Sequence, residues 1–139
     1  MRLKFIALML GACVSTNGLA SSTTLFDEIG GDVKLHATIE EFTKIILDDS
    51  RINFAFAQAD LSVFKQRLYS QLCALANGPC KYEGRDMKTA HQKLAVDNAQ
   101  FNALAEDLYL AFDRVGVNYR AQNKLMALLA PMQRDIVKK

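Results

Sequence analysis

Histidine occurs twice in the 139 residues, proline twice, cysteine three times and tryptophan not at all. The cysteines form neither the Cys-x-x-Cys-His of covalent c-type haem attachment nor a zinc-type cluster, so neither site is expected. His36 lies in the first helical region with no partner pattern around it and reads as surface, which leaves His91 as the single candidate metal ligand. Alternating strand patterns, internal repeats and low-complexity tracts are absent, and so is any flavin or dinucleotide motif. The apolar run Phe5 to Leu10 is too short to span a bilayer as a helix. Charge is scarce too: the formal net charge is +2, and Arg2 and Lys4 account for it. The rest is near neutral, with no basic surface for nucleic acid.

What is present divides the chain in two. Half the residues are hydrophobic and 23% charged, enough for one globular domain with its own core. Residues 1–20 stand apart: Arg2 and Lys4, then the apolar run, then small residues, the layout of a secretory leader. Two cleavages compete. Gly18-Leu19-Ala20 suits an ordinary signal peptidase, while Leu10-Gly11-Ala12-Cys13 resembles a lipobox that would leave Cys13 lipidated at the new N-terminus. The expectation is an exported protein, periplasmic or anchored in the envelope as a lipoprotein, touching membrane only through that lipid. Its folded domain covers residues 21–139.

That domain reads as all-α. Ile39, Phe42, Ile45 and Ile46 recur at helical spacing between Leu35 and Leu47. Asp60 can cap a helix from Leu61, with Phe64, Leu68, Leu72 and Leu75 in one stripe. Asp97 and Gln100 approximate a capping box before Phe101, Leu104, Leu108, Phe112 and Val115, and Gly116 can end that helix. Asn118 opens the last, with Leu125, Leu128, Leu129, Met132 and Ile136 expected inward and a kink at Pro131.

The stretch Tyr82 to Val96 holds the candidate chemistry. On a short helix Met87, His91 and Leu94 share one face, a nitrogen ligand among apolar neighbours that suits the underside of a porphyrin. A lone histidine on such a face is more often a hydrogen-bonded core residue. Cys73 and Cys80 would lie about 10 Å apart on a continuous helix, beyond disulfide reach. Asn77-Gly78-Pro79 should break that helix and let the chain fold back. A bridge would contribute roughly 2–3 kcal/mol by the loop-entropy model; two unpaired thiols are the alternative.

Gly78-Pro79-Cys80-Lys81-Tyr82, Gly84-Arg85-Asp86-Met87-Lys88 and His91 resemble the proximal-histidine segment of group 1 truncated haemoglobins. The likeness extends to Leu25-Phe26-Asp27-Glu28-Ile29-Gly30-Gly31, Phe42, Phe56 and Leu129-Ala130-Pro131-Met132. It implies a shortened globin fold holding haem b non-covalently, with His91 as iron ligand. Phe56 would pack on the porphyrin, and Phe42, Ile52, Met87, Val96, Phe101, Leu104 and Leu129 would line the pocket. Arg67 would reach a propionate at the solvent edge. Asn77-Gly78 stands where the family has a second glycine pair, a change that asparagine tolerates in a left-handed turn.

The distal side departs from the family. Many relatives carry tyrosine after the residue matching Phe42, where this chain has Thr43, and the first two distal positions are Phe64 and Leu68, neither a donor. Gln71 falls on their stripe, and its amide needs a partner: the bound gas, directly or through Thr43 or a water, or a backbone carbonyl. The implied function is reversible binding of oxygen, NO or CO. Peroxidase chemistry is disfavoured because no distal histidine is available. NO dioxygenation, known within the family, would require an external reductase as partner. From the residues alone, a cofactor-free helical lipoprotein serving as a protein-interaction module remains open, with His91 in its core.

Overall fold

A computed structural model describes residues 22–138. The expected leader, both cleavage sites and Cys13 lie outside the described residues. Within them the chain is helical, with no strand. Thr24 opens α1 (Leu25–Ile29) through a reciprocal capping box with Asp27. The chain then turns sharply at Gly30 and Gly31, at φ 107° and 67°. A Cβ on Gly30 would also strike the Lys34 side chain, so glycine is required there twice over.

Helix α2 (Gly31–Asp48) starts one turn before the apolar periodicity does. It lies antiparallel to α5 (Asn98–Val115), the most extensive helix pair of the fold. The order of their cross-links shows the direction: Lys34 to the Gly116 carbonyl, Glu41 to Arg114, and Arg51 to Glu106. A 3₁₀ turn (Asn53–Phe56) leads to α3 (Leu61–Leu75), which crosses α2, and then a loop leads to α4 (Met87–His91). Helix α6 (Tyr119–Leu129) packs on α1 and α5 and ends in a 3₁₀ turn (Ala130–Met132), followed by α7 (Gln133–Ile136) against α4.

The expected caps are all present. Asp60 accepts from the Ser62 and Val63 amides, Asp97 and Gln100 bond reciprocally, and Asn118 accepts from Arg120. Gly116 ends α5 in the left-handed conformation, φ 73°. The core joins Leu35, Ile39 and Ile46 of α2 to Leu72, Phe112 and Leu125, none above 2% exposed. Each such side chain contributes about 1.5–3 kcal/mol by leaving water.

Three expectations need correction. Leu128 is 43% exposed, because α6 packs through the row Ala121, Leu125 and Leu129, four residues apart, which turns Leu128 outward. Leu94 is also exposed: α4 stops at His91, and the Leu94 amide bonds the His91 carbonyl in a turn that points the side chain away. Pro131 does more than kink a helix. It sits in the 3₁₀ turn that separates α6 from α7.

Candidate functional site

Helix α4 is five residues long, and none of them is buried, so its position depends on local bonds. The Tyr82 hydroxyl donates to the Arg85 carbonyl (2.7 Å) and its ring lies over Gly84, where a Cβ would strike it. Asp86 caps the helix by accepting from the Thr89 amide (2.9 Å) and hydroxyl (2.7 Å). Those bonds, backbone first, hold the Asp86 carboxyl below its ordinary range. One turn on, His91 Nδ1 lies 2.8 Å from the Met87 carbonyl. A carbonyl only accepts, so Nδ1 carries the proton and the lone pair sits on Nε2.

Between α3 and the α4 arm lies an apolar cavity of about 300 Å³, lined by Gln71, Ala74, Leu75, Tyr82, Asp86, Met87 and Met132. The Gln71 amide donates to the Met87 sulfur (3.2 Å) and toward that of Met132 (3.6 Å). The expected backbone-carbonyl partner is therefore not used. Thioether sulfur is a weak acceptor. His91 lines a separate cleft of about 270 Å³ beside α7, with Lys88, Arg134 and Lys138 among its walls.

Phe42, Phe64 and Phe56 form an aromatic column. Phe56 meets Phe64 edge-on at 5.1 Å, and Phe42 lies 6.5 Å from Phe64. Thr43 is buried, and its hydroxyl donates to the Ile39 carbonyl at 2.7 Å. Ile52 is buried; Leu68, Phe101, Leu104, Val96 and Leu129 are half-buried. Arg67 is exposed, lines neither cavity and makes no ion pair among the described residues.

Cys73 and Cys80 are paired, their Cα atoms 5.7 Å apart, which joins the last turn of α3 to the loop before α4. Asn77 makes the intervening reversal at φ 58°, and Gly78 passes so close to Cys73 and Phe26 that a Cβ would collide with both.

Two polar groupings escaped sequence reasoning. His36 is exposed, as expected, yet it stacks on Tyr69 at 4.1 Å and lies 3.4 Å from Asp32. The Tyr69 hydroxyl donates to Asp32 (2.6 Å), which pushes its pKa up to about 12, with burial adding to the effect. Asp107 is 5% exposed, and its Oδ2 has no hydrogen-bond partner among the described residues. Desolvation, then the nearby Asp49 charge, pushes its pKa up to about 6, against the pull of Arg51 at 3.8 Å. A signal existed: Asp107 follows Leu104 by three residues and precedes Ala111 by four, inside the apolar stripe.

The family profile described as "Bacterial-like globin" matches residues 24–138. A group 1 truncated hemoglobin of Synechocystis is 33% identical over 101 residues, which cover 68% of this chain and 80% of that one. Its counterpart in Tetrahymena thermophila is 26% identical over 116 residues, 84% of this chain and 96% of that one. Among solved structures, truncated hemoglobin from Tetrahymena pyriformis in the Fe(III) form superposes with a TM-score of 0.80 at 26% identity, covering 84% of this chain and 99% of that one. The match spans every helix described above: this chain belongs to the bacterial-like globin family, and its relatives there include group 1 truncated haemoglobins.

Proposed function

We propose that this chain holds haem b non-covalently through His91 and reversibly binds oxygen, NO or CO. The observation that carries the reading is the His91 ring. Its Nδ1 is fixed by the Met87 carbonyl, and Nε2 makes no bond within the described residues. A neutral imidazole held in this way is a fitting iron ligand. Met87, one turn before His91 on α4, lines the apolar cavity between α3 and the α4 arm, His91 itself lines the separate cleft beside α7, and Arg67 is exposed and would be free for a propionate. Family membership implies the same cofactor.

Bound haem would supply an iron coordination position for a diatomic gas; the chain's own residues decide which gas is held well. The Thr43 hydroxyl is engaged with Ile39, Phe64 and Leu68 offer no donor, and the Gln71 amide turns toward two sulfurs. A neutral donor on this side would favour oxygen, a ligand that gains partial negative charge, by about 1 kcal/mol. With no such side chain available, oxygen would be held less firmly, whereas CO and NO would be less affected. A tyrosine at position 43 would restore the donor, so Thr43→Tyr is expected to slow oxygen dissociation about fivefold. No slowing would contradict an apolar distal side.

The test of the haem reading itself is titration of the purified protein with hemin. A Soret band with one-to-one stoichiometry is expected; a folded chain that stays colourless would leave the protein-interaction reading instead. Envelope location belongs to the same proposal. Export on the leader, with lipidation at Cys13 or cleavage after Ala20, would place Cys73 and Cys80 where a disulfide persists. The mass of the mature N-terminal peptide distinguishes the two cleavages. Any NO dioxygenation would draw electrons from a separate reductase.

A further inference from the structure

The charged side chains are unevenly matched. Among the described residues outside the α4 arm and the C-terminal turn, most cations have partners: Arg51 with Asp49 and Glu106, Lys65 with Glu40, Arg114 with Glu41, Lys124 with Glu28. Six others, Lys81, Arg85, Lys88, Lys93, Arg134 and Lys138, are all exposed and form no ion pair among the described residues. Residues 81–93 and 134–138 carry these six cations against three carboxylates, whereas the other described residues carry eight against twelve. The two segments meet, since α7 packs on α4 and the Lys138 amide bonds the Val96 carbonyl. Lys88, Arg134 and Lys138 also line the cleft that His91 borders.

We propose that this face docks an acidic one-electron donor protein and admits electrons to the iron. The inference rests on the haem reading above. Lys88 precedes His91 by three residues, about 5 Å along a helix. A partner seated over the cleft therefore sits beside the iron ligand. One electron passes from the donor to ferric iron, which becomes ferrous; no bond forms or breaks and no proton need move. Unpaired cations gathered at one cleft, as Lys88, Arg134 and Lys138 are, orient an acidic partner during encounter. Glu83, Asp86 and Asp135 interrupt the positive charge, which favours a protein of mixed charge over an anionic bilayer, where unbroken basic clusters are effective.

The probe is a fluorescently labelled acidic flavodoxin, with binding followed by anisotropy on the full domain before and after hemin loading. Binding is expected to weaken about tenfold between low and physiological salt. The combined variant Lys88→Glu, Arg134→Glu and Lys138→Glu should lose a further tenfold or more. Arg120→Glu, an unpaired cation at the far end of α6, should bind as the wild type does. In the haem-loaded protein, reduction by flavodoxin hydroquinone should slow in the triple variant, while reduction by dithionite should not. Unchanged binding and reduction in the triple variant would overturn the proposal. So would co-sedimentation with phosphatidylglycerol vesicles by a chain that ignores flavodoxin. Flavodoxin binding without hemin uptake would defeat the haem reading alone, and pigment with no charge dependence would defeat the docking face alone.

Discussion

Along α2 seven side chains are buried and along α5 five, while along α4 none is. The first pair is held by the apolar stripe that each helix presents to the other, a non-directional force that needs only period and size. The α4 arm is held by individual bonds: the Asp86 cap, the Tyr82 hydroxyl on Arg85, the Cys73–Cys80 pair behind it and the Lys138 amide on Val96. Segments with few buried apolar contacts open at low free energy. The scaffold is thus held by its own core, whereas the segment carrying His91, the proposed iron ligand, relies on individual tethers.

That contrast can be broken by mutation. Phe112→Ala, in the fully buried part of α5, should cost about 3–5 kcal/mol by denaturant unfolding. Met87→Ala on α4, half-buried, should cost well under half of that while accelerating haem loss. Equal costs would erase the distinction between scaffold and arm. Next in size is the tether. Replacing both Cys73 and Cys80 with serine should lower stability by roughly 2–3 kcal/mol, and hydrogen exchange should quicken most in the 77–91 region. An unaltered exchange pattern there would show that the bridge does not position α4.

The smallest effect sharpens the scaffold side. Asp107 has its pKa raised from 3.8 to about 6 in the fold. Between these values the native state keeps a proton that the unfolded chain has released, so stability falls as pH rises through the window. The ionised, partly unpaired carboxylate then persists at neutral pH. Asp107→Asn should remove this component, amounting to up to about 2 kcal/mol. Unfolding curves of the two proteins should converge near pH 4 and separate above pH 6; parallel curves would contradict the assignment. Asp49, held low mainly by its bonds to Arg51, drives the opposite trend at lower pH, so the difference between the proteins is the quantity to read.

The same contrast governs what could be read without coordinates. The stripes and caps of α2, α3, α5 and α6 follow from period and capping chemistry, and the boundaries at Asp60, Asp97 and Gly116 were legible to the residue. His91 stood out because histidine is so scarce, and a short helix bearing it was legible from the spacing of Met87, His91 and Leu94, though not its cap at Asp86. What failed was local geometry. Leu94 missed its face because α4 is one turn shorter than its apolar pattern allows, and Leu128 because helix packing selected one of two adjacent rows. The partner of Gln71 could not be foreseen, since two methionines far apart in sequence converge on it only after α7 folds against α4. The Asp32, His36 and Tyr69 grouping joins α2 to α3 across a distance no short-range pattern encodes.

The most direct test of the iron–imidazole assignment is to replace His91 with glycine and supply free imidazole. The account predicts that His91→Gly keeps its helical far-ultraviolet spectrum, retains hemin poorly, and regains a stable Soret band and ferrous CO complex when imidazole is added. A glycine variant that holds hemin and binds CO as the wild type does, with or without imidazole, would show that the iron is held elsewhere.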